Sequence, residues 1–162
     1  MRILEYPTQS LKELSENVAT EDIGTLLLSN VIGNMRDTLI AKVGAVGIAA
    51  PQVGINRRII IVRTDNVDRV MINPTIIWSS DDVFKSAEGC LSIPKVKGNV
   101  QRHWAVKVNY MDERGVHTCE SFIGFDAAVV QHEIDHLNGI LFTDRLTGSD
   151  KKKADKKLNK RK

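Results

Sequence analysis

At 162 residues, 42% of them hydrophobic, the chain fits one domain that buries roughly two-thirds of its extended surface and needs no disulfide staple. No apolar run approaches the length of a membrane span; two cysteines, Cys90 and Cys119, and no hydrophobic signal after Met1-Arg2 lead us to expect a cytoplasmic protein with reduced thiols. The net charge of +3 hides an asymmetry: residues 151–162 hold seven Lys and one Arg against one Asp, leaving 15 basic and 19 acidic residues elsewhere, so a mildly acidic domain over 1–147 precedes a Lys-rich tail over 148–162.

After an extended start, Thr20-Glu21-Asp22 precedes a helical pattern through Ile23, Leu26, Leu27, Val31, Met35, Leu39 and Ile40 that ends at Gly44, the pattern of an amphipathic surface helix. The small residues of 45–54 let backbone come close to something, and 57–63 reads as a strand built on Ile59-Ile60-Ile61-Val62. The glycines invite a phosphate-loop reading, but neither a Walker Lys-Ser/Thr ending nor a Rossmann strand-turn-helix follows. Residues 70–73 and 75–78 are expected as short strands on either side of Pro74, and 81–85 as another. Ser86-Ala87-Glu88-Gly89-Cys90-Leu91-Ser92-Ile93-Pro94 reads as a tight segment closed by Pro94. Residues 103–110 and 117–122 are predicted to pair as a hairpin across Asp112-Glu113-Arg114-Gly115. Hairpin-like strands between two helices point to an α+β domain.

The chemistry concentrates in Val130-Gln131-His132-Glu133-Ile134-Asp135-His136-Leu137. Residues four apart share a helix face, so His132 and His136 aim two imidazoles at one point, as a metal requires. Glu133 lies about 100° further round, beside such an ion and not on it, where a general base belongs. Over 125–141 apolar residues surround the helix and leave Gln131, Asp135 and Asn138 as a narrow polar strip, so the helix is expected to be buried, with Gly139 as its exit.

A catalytic metal usually takes three protein ligands and keeps one open position. No Glu follows Glu133 and no His follows His136, so the third donor of common zincin proteases is missing; Asp144 and Asp150 remain formal candidates. Upstream stand Cys90, His103, His117, Cys119 and assorted carboxylates, with Cys90 favoured by its constrained loop and Cys119 expected as a small packed side chain. A Cys90 to Cys119 disulfide is the bland alternative.

Three segments, Val46-Gly47-Ile48-Ala49-Ala50-Pro51-Gln52, Glu88-Gly89-Cys90-Leu91-Ser92 and Gln131-His132-Glu133-Ile134-Asp135-His136-Leu137, resemble the signature motifs of peptide deformylases, in that family's order and at similar separations. The resemblance implies antiparallel β-sheets packed around a central metal-bearing helix, and removal of the N-terminal formyl group from nascent polypeptides. It implies Cys90, His132 and His136 as metal ligands and Glu133 as catalytic acid/base, with Gln52 and the Leu91 N–H holding the oxyanion. Gly47 would offer its main chain to the substrate, and Glu88 would pair with Arg102 to brace the Cys90 loop. Ala45 stands where the family usually has Gly.

Formamide hydrolysis needs a strong nucleophile at neutral pH, and a metal with an open site makes hydroxide by lowering the pKa of bound water from about 15.7 to near 7. One thiolate and two imidazoles suit Fe(II), Zn(II), Co(II) or Ni(II), and the resemblance implies Fe(II). An apolar pocket lined by Val46, Phe125, Ala128 and Val129 would accept a Met side chain. Rival readings are another metal-dependent amide hydrolase and a non-catalytic module that keeps its metal for stability. The Lys-rich tail is either a solvated end or a contact to ribosomal RNA, and the protein is expected to act as a monomer.

Overall fold

The computed structural model describes residues 1–161. In chain order its main elements are α1 (Leu26–Ile40), β1 (Gly47–Ala49), β2 (Ile59–Arg63), β3 (Asp68–Ser79), β4 (Val83–Cys90), β5 (Ile93–His103), β6 (Ala105–Met111), β7 (His117–Ile123), α2 (Gly124–Leu137) and α3 (Gly148–Leu158). Five strands form an antiparallel sheet in the order β1-β2-β3-β6-β7, and β4 pairs with β5 in a separate two-stranded sheet. This is the expected α+β arrangement around a central helix.

Strand β2 explains the layering. Its side chains alternate across the sheet, and both faces are buried: Ile60 and Val62 pack with Val130, Ile134 and Leu137 of α2, while Ile59 and Ile61 pack with Ile32, Met35 and Leu39 of α1. A continuous isoleucine run is what such a doubly covered strand requires. The spacing placed the first helix correctly but too early. It begins at Leu26 because the Thr25 hydroxyl caps it, accepting from the Leu28 N–H at 3.3 Å.

Two expectations are corrected by the sheets. Residues on either side of Pro74 belong to the single strand β3 and not to two short ones. Pro74, which has no N–H to give, sits where the pairing with β6 slips between Ile72 and Thr75, and Asn73 takes a φ of +53° there. Its side-chain amide holds Val18 through two 2.8 Å hydrogen bonds. Likewise, the segment 86–94 is no isolated loop. Ser86 to Cys90 continue β4 and Ile93-Pro94 open β5, so only Leu91 and Ser92 turn. The 81–85 strand is thereby longer than expected. The hairpin of β6 and β7 forms with Met111 opposite His117, but it opens at Ala105, because His103 ends β5 opposite Val83.

A third cluster, Ile93, Val96, Val100, Leu141, Phe142, Leu146, Ala154 and Leu158, binds β5 to the C-terminal segment. The expected tail therefore starts as a helix on the domain: Ala154 and Leu158, four apart, point inward while Lys152, Lys153, Lys156 and Lys157 face solvent. At the exit of α2, Gly139 has φ +68° and stands so close to the Lys12 carbonyl that a β-carbon would lie 2.4 Å from its oxygen. Ala45 is not among the residues with positive φ, so its methyl imposes no backbone strain on the first motif.

Candidate active site

Helix α2 and the end of β4 bring the donors together. Sγ of Cys90 and a ring nitrogen each of His132 and His136 all lie within 4.8 Å of one another, and Cys90 Sγ is 3.2 Å from His136 Nε2. The other candidates are elsewhere. His103 and His117 are exposed, as is Cys119, which lies on the open side of β7 and is not packed as expected. Both cysteines are free, which removes the disulfide alternative. Asp144 accepts from Lys12 and the Leu141 N–H, and Asp150 from Asn99, both away from the cluster.

Orientation of the ligands comes from behind them. Glu88 Oε2 lies 2.9 Å from His132 Nδ1, and an ionised carboxylate only accepts, so Nδ1 carries the proton and Nε2 is left to ligate. Arg102 grips the same carboxylate with both arms, Nε to Oε1 at 2.8 Å and Nη2 to Oε2 at 2.9 Å, all buried. Burial alone would raise the Glu88 carboxyl, but the hydrogen bonds from Arg102 and His132 outweigh it and hold it at about 2. Burial would also raise the Cys90 thiol; the charge of His136 and the hydrogen bonds of both histidines bring it well below the usual thiol range. The thiolate that a metal needs is thus the favoured form, and three such donors fit a divalent ion with a position left over.

Beside them Glu133 is buried, and its Oε2 has no hydrogen-bond partner among the described residues. Burial drives its carboxyl up to about 7, although the charges of His132 and His136 pull the other way. Gln52 is buried too. Its Oε1 accepts from the Ala49 N–H at 2.9 Å, which turns Nε2 toward Cys90 Sγ at 3.4 Å and Ser92 Oγ at 3.2 Å.

A cavity of about 660 Å³ opens over this cluster, with Gly47, Gln52, Glu88, Cys90, Leu91, His132 and Glu133 on its walls. Val46, Ala128 and Val129 add apolar surface, and Phe125, 58% exposed, stands at the rim. Sequence reasoning passed over Val43, which lies in the turn between α1 and β1, and Ser86, Ile93, Lys95 and Lys97, which lie on the parts of β4 and β5 that carry no clear strand pattern; all of them also line it. It passed over Ser92 as well, whose only signal was its place in the second motif.

Three protein donors at the floor of an open cavity, with a near-neutral carboxyl alongside, define a metal-dependent hydrolase. The family model described as Polypeptide deformylase matches residues 1–152. The peptide deformylase of Pseudothermotoga lettingae is 42% identical over 158 residues, covering 98% of this chain and 88% of that one. A solved peptide deformylase from Plasmodium falciparum superposes with a TM-score of 0.90 at 37% identity, over 98% of this chain and 94% of that chain. Class I type b peptide deformylase from Acinetobacter baumannii, with Met-Ala-Ser bound, gives 0.86 at 35% identity over 90% and 98%. The chain belongs to the peptide deformylase family.

Proposed function

We propose that this enzyme hydrolyses the formamide at the N-terminus of formyl-methionine peptides, releasing formate and a free amine. The observation that carries the proposal is the convergence of Cys90, His132 and His136 donors within 4.8 Å beneath an open cavity, beside the uncapped carboxylate of Glu133.

A divalent ion held by those three residues supplies Lewis acidity and a nucleophile from water at neutral pH. Glu133 takes the proton of the attacking water and returns it to the amine nitrogen as the C–N bond breaks. A carboxyl near neutrality serves both halves of that exchange. Gln52 Nε2 and the Leu91 N–H hold the charge that gathers on the formyl oxygen; losing one such donor typically costs about 10² to 10³ in rate. Gly47 presents its main chain to the peptide. Val46, Phe125, Ala128 and Val129, which line the cavity, take the Met side chain of a peptide such as the Met-Ala-Ser bound to the Acinetobacter baumannii relative. Glu88 and Arg102 brace the Cys90 end of β4 and His132.

Fe(II) is the ion favoured by the family resemblance, while Zn(II), Co(II) and Ni(II) suit the same donors. No helix among the described residues is long and apolar enough to cross a membrane, and we place the enzyme in the cytoplasm as a monomer meeting nascent chains. The lysines on the outer face of α3 would hold ribosomal RNA by displacing counterions. Reversing Lys152, Lys153 and Lys156 to Glu, which spares the buried Ala154 and Leu158, should weaken ribosome co-sedimentation at low salt and leave peptide turnover intact. Rates on N-formyl-Met, N-acetyl-Met and internal peptide bonds, measured on anaerobically prepared protein, test the activity. The formyl substrate should be strongly preferred; comparable rates on the acetyl substrate would overturn the assignment.

A further inference from the structure

Arg145 lies outside all three motifs, with its side chain 42% exposed, yet its guanidinium is wired to a metal ligand. Its Nε and Nη2 donate to the two oxygens of Asp135, each at 2.5 Å. Asp135 Oδ2 also accepts from Arg102 Nη1 at 2.6 Å, and the remaining arms of Arg102 hold Glu88, which accepts from His132 Nδ1–H. Charges alternate along this row, Arg145, Asp135, Arg102, Glu88, and end on the imidazole.

We infer that Arg145 is a positioning residue for His132, acting through Asp135, Arg102 and Glu88. Two buried carboxylates share the single buried guanidinium of Arg102, whose side chain is 2% exposed. Arg145 supplies the second cation. Without it, Asp135 and Glu88 compete for Arg102, because a carboxylate at this depth is costly unless paired. As Arg102 is drawn toward Asp135, Glu88 loses one arm of its clamp, and His132 loses a fixed acceptor for Nδ1–H. Partners behind a metal ligand typically carry about 10- to 100-fold in metal affinity. Arg145 stands further out, so the lower end of that range applies.

The inference rests on metal binding by Cys90, His132 and His136, and Co(II) is the probe for both. Arg145→Gln, which keeps most of the stem and removes the charge, should weaken Co(II) affinity about tenfold in competition with a chelator at fixed pH and shift the visible Co(II) bands. Arg145→Lys, which restores the charge but not the two-armed grip, should recover part of both. Arg58→Ala is the control: Arg58 Nη1 donates to Leu137 O at 3.2 Å and Asn138 Oδ1 at 3.0 Å, so it steadies the end of the same helix outside the charged row. That variant should lower thermal stability and leave Co(II) affinity and spectrum at wild-type values. Wild-type affinity and bands in Arg145→Gln, or an equal loss in Arg58→Ala, would overturn the inference. Wild-type protein that takes up no Co(II) would overturn the metal centre and this inference with it.

Discussion

Gly47 is pressed against Glu133: a β-carbon at position 47 would lie 2.5 Å from Glu133 Oε1 and 2.9 Å from Cδ. The first and third motifs therefore meet at one contact, and the backbone of β1 is the wall that fixes where the buried carboxylate points. Gly47 faces the cavity as well as this wall, so under the proposed mechanism the same short strand would position both substrate and base.

Gly47→Ala should push the Glu133 carboxylate aside, since the three atoms nearest a β-carbon there all belong to Glu133, while the three metal donors stay in place. Misplacing a catalytic group by about 1 Å costs about 10² in rate. We expect kcat on a formyl-Met peptide to fall by about that factor, with metal content unchanged. Kinetics and metal analysis on the same preparation check this.

Removing the metal with a chelator should abolish turnover and leave the fold intact. The ligands sit on β4 and α2, which are held by three apolar clusters that owe nothing to an ion. Far-ultraviolet circular dichroism should be unchanged, and adding Co(II) or Fe(II) anaerobically should restore activity. Loss of structure on chelation would mean that the metal is a structural staple.

Docking of α3 should depend on pH through Asp150. Its carboxylate accepts from the Asn99 N–H at 3.0 Å and Asn99 Nδ2 at 3.1 Å, and these bonds hold it below the ordinary carboxylate range. A pKa lowered by folding contributes stability above the unfolded value of about 4 and loses it as pH falls through the folded one. Amide exchange in α3 should accordingly be slower in the native chain than in Asp150→Asn at pH 6, with the difference closing as the pH falls below the ordinary carboxylate value of about 4. No difference between the two at pH 6 would assign the docking to Ala154 and Leu158 without Asp150.

Much of this was legible because local patterns and tertiary needs agree. Two histidines four apart with a Glu between them, inside an apolar helix, announce a buried metal site, and Ile59 to Val62 announce a strand covered on both sides. What escaped was set by partners distant in sequence. Pro74 forbids a regular strand, but the bulge opposite β6 absorbs it. Asp135 read as one residue of a polar strip; its partners Arg102 and Arg145 approach from a strand and from the chain beyond the helix, and no spacing links the three. For the basic end, the signal was present in Ala154 and Leu158 four apart, and lysine count masked it.

The central claim is a division of labour, in which Cys90, His132 and His136 hold the ion and Glu133 moves the proton. Glu133→Ala, loaded with the same metal as the native chain, separates the two tasks. We predict native metal stoichiometry and a loss of at least about 10² in kcat on formyl-Met-Ala-Ser. A variant that holds its metal and turns over at a near-native rate would contradict the account.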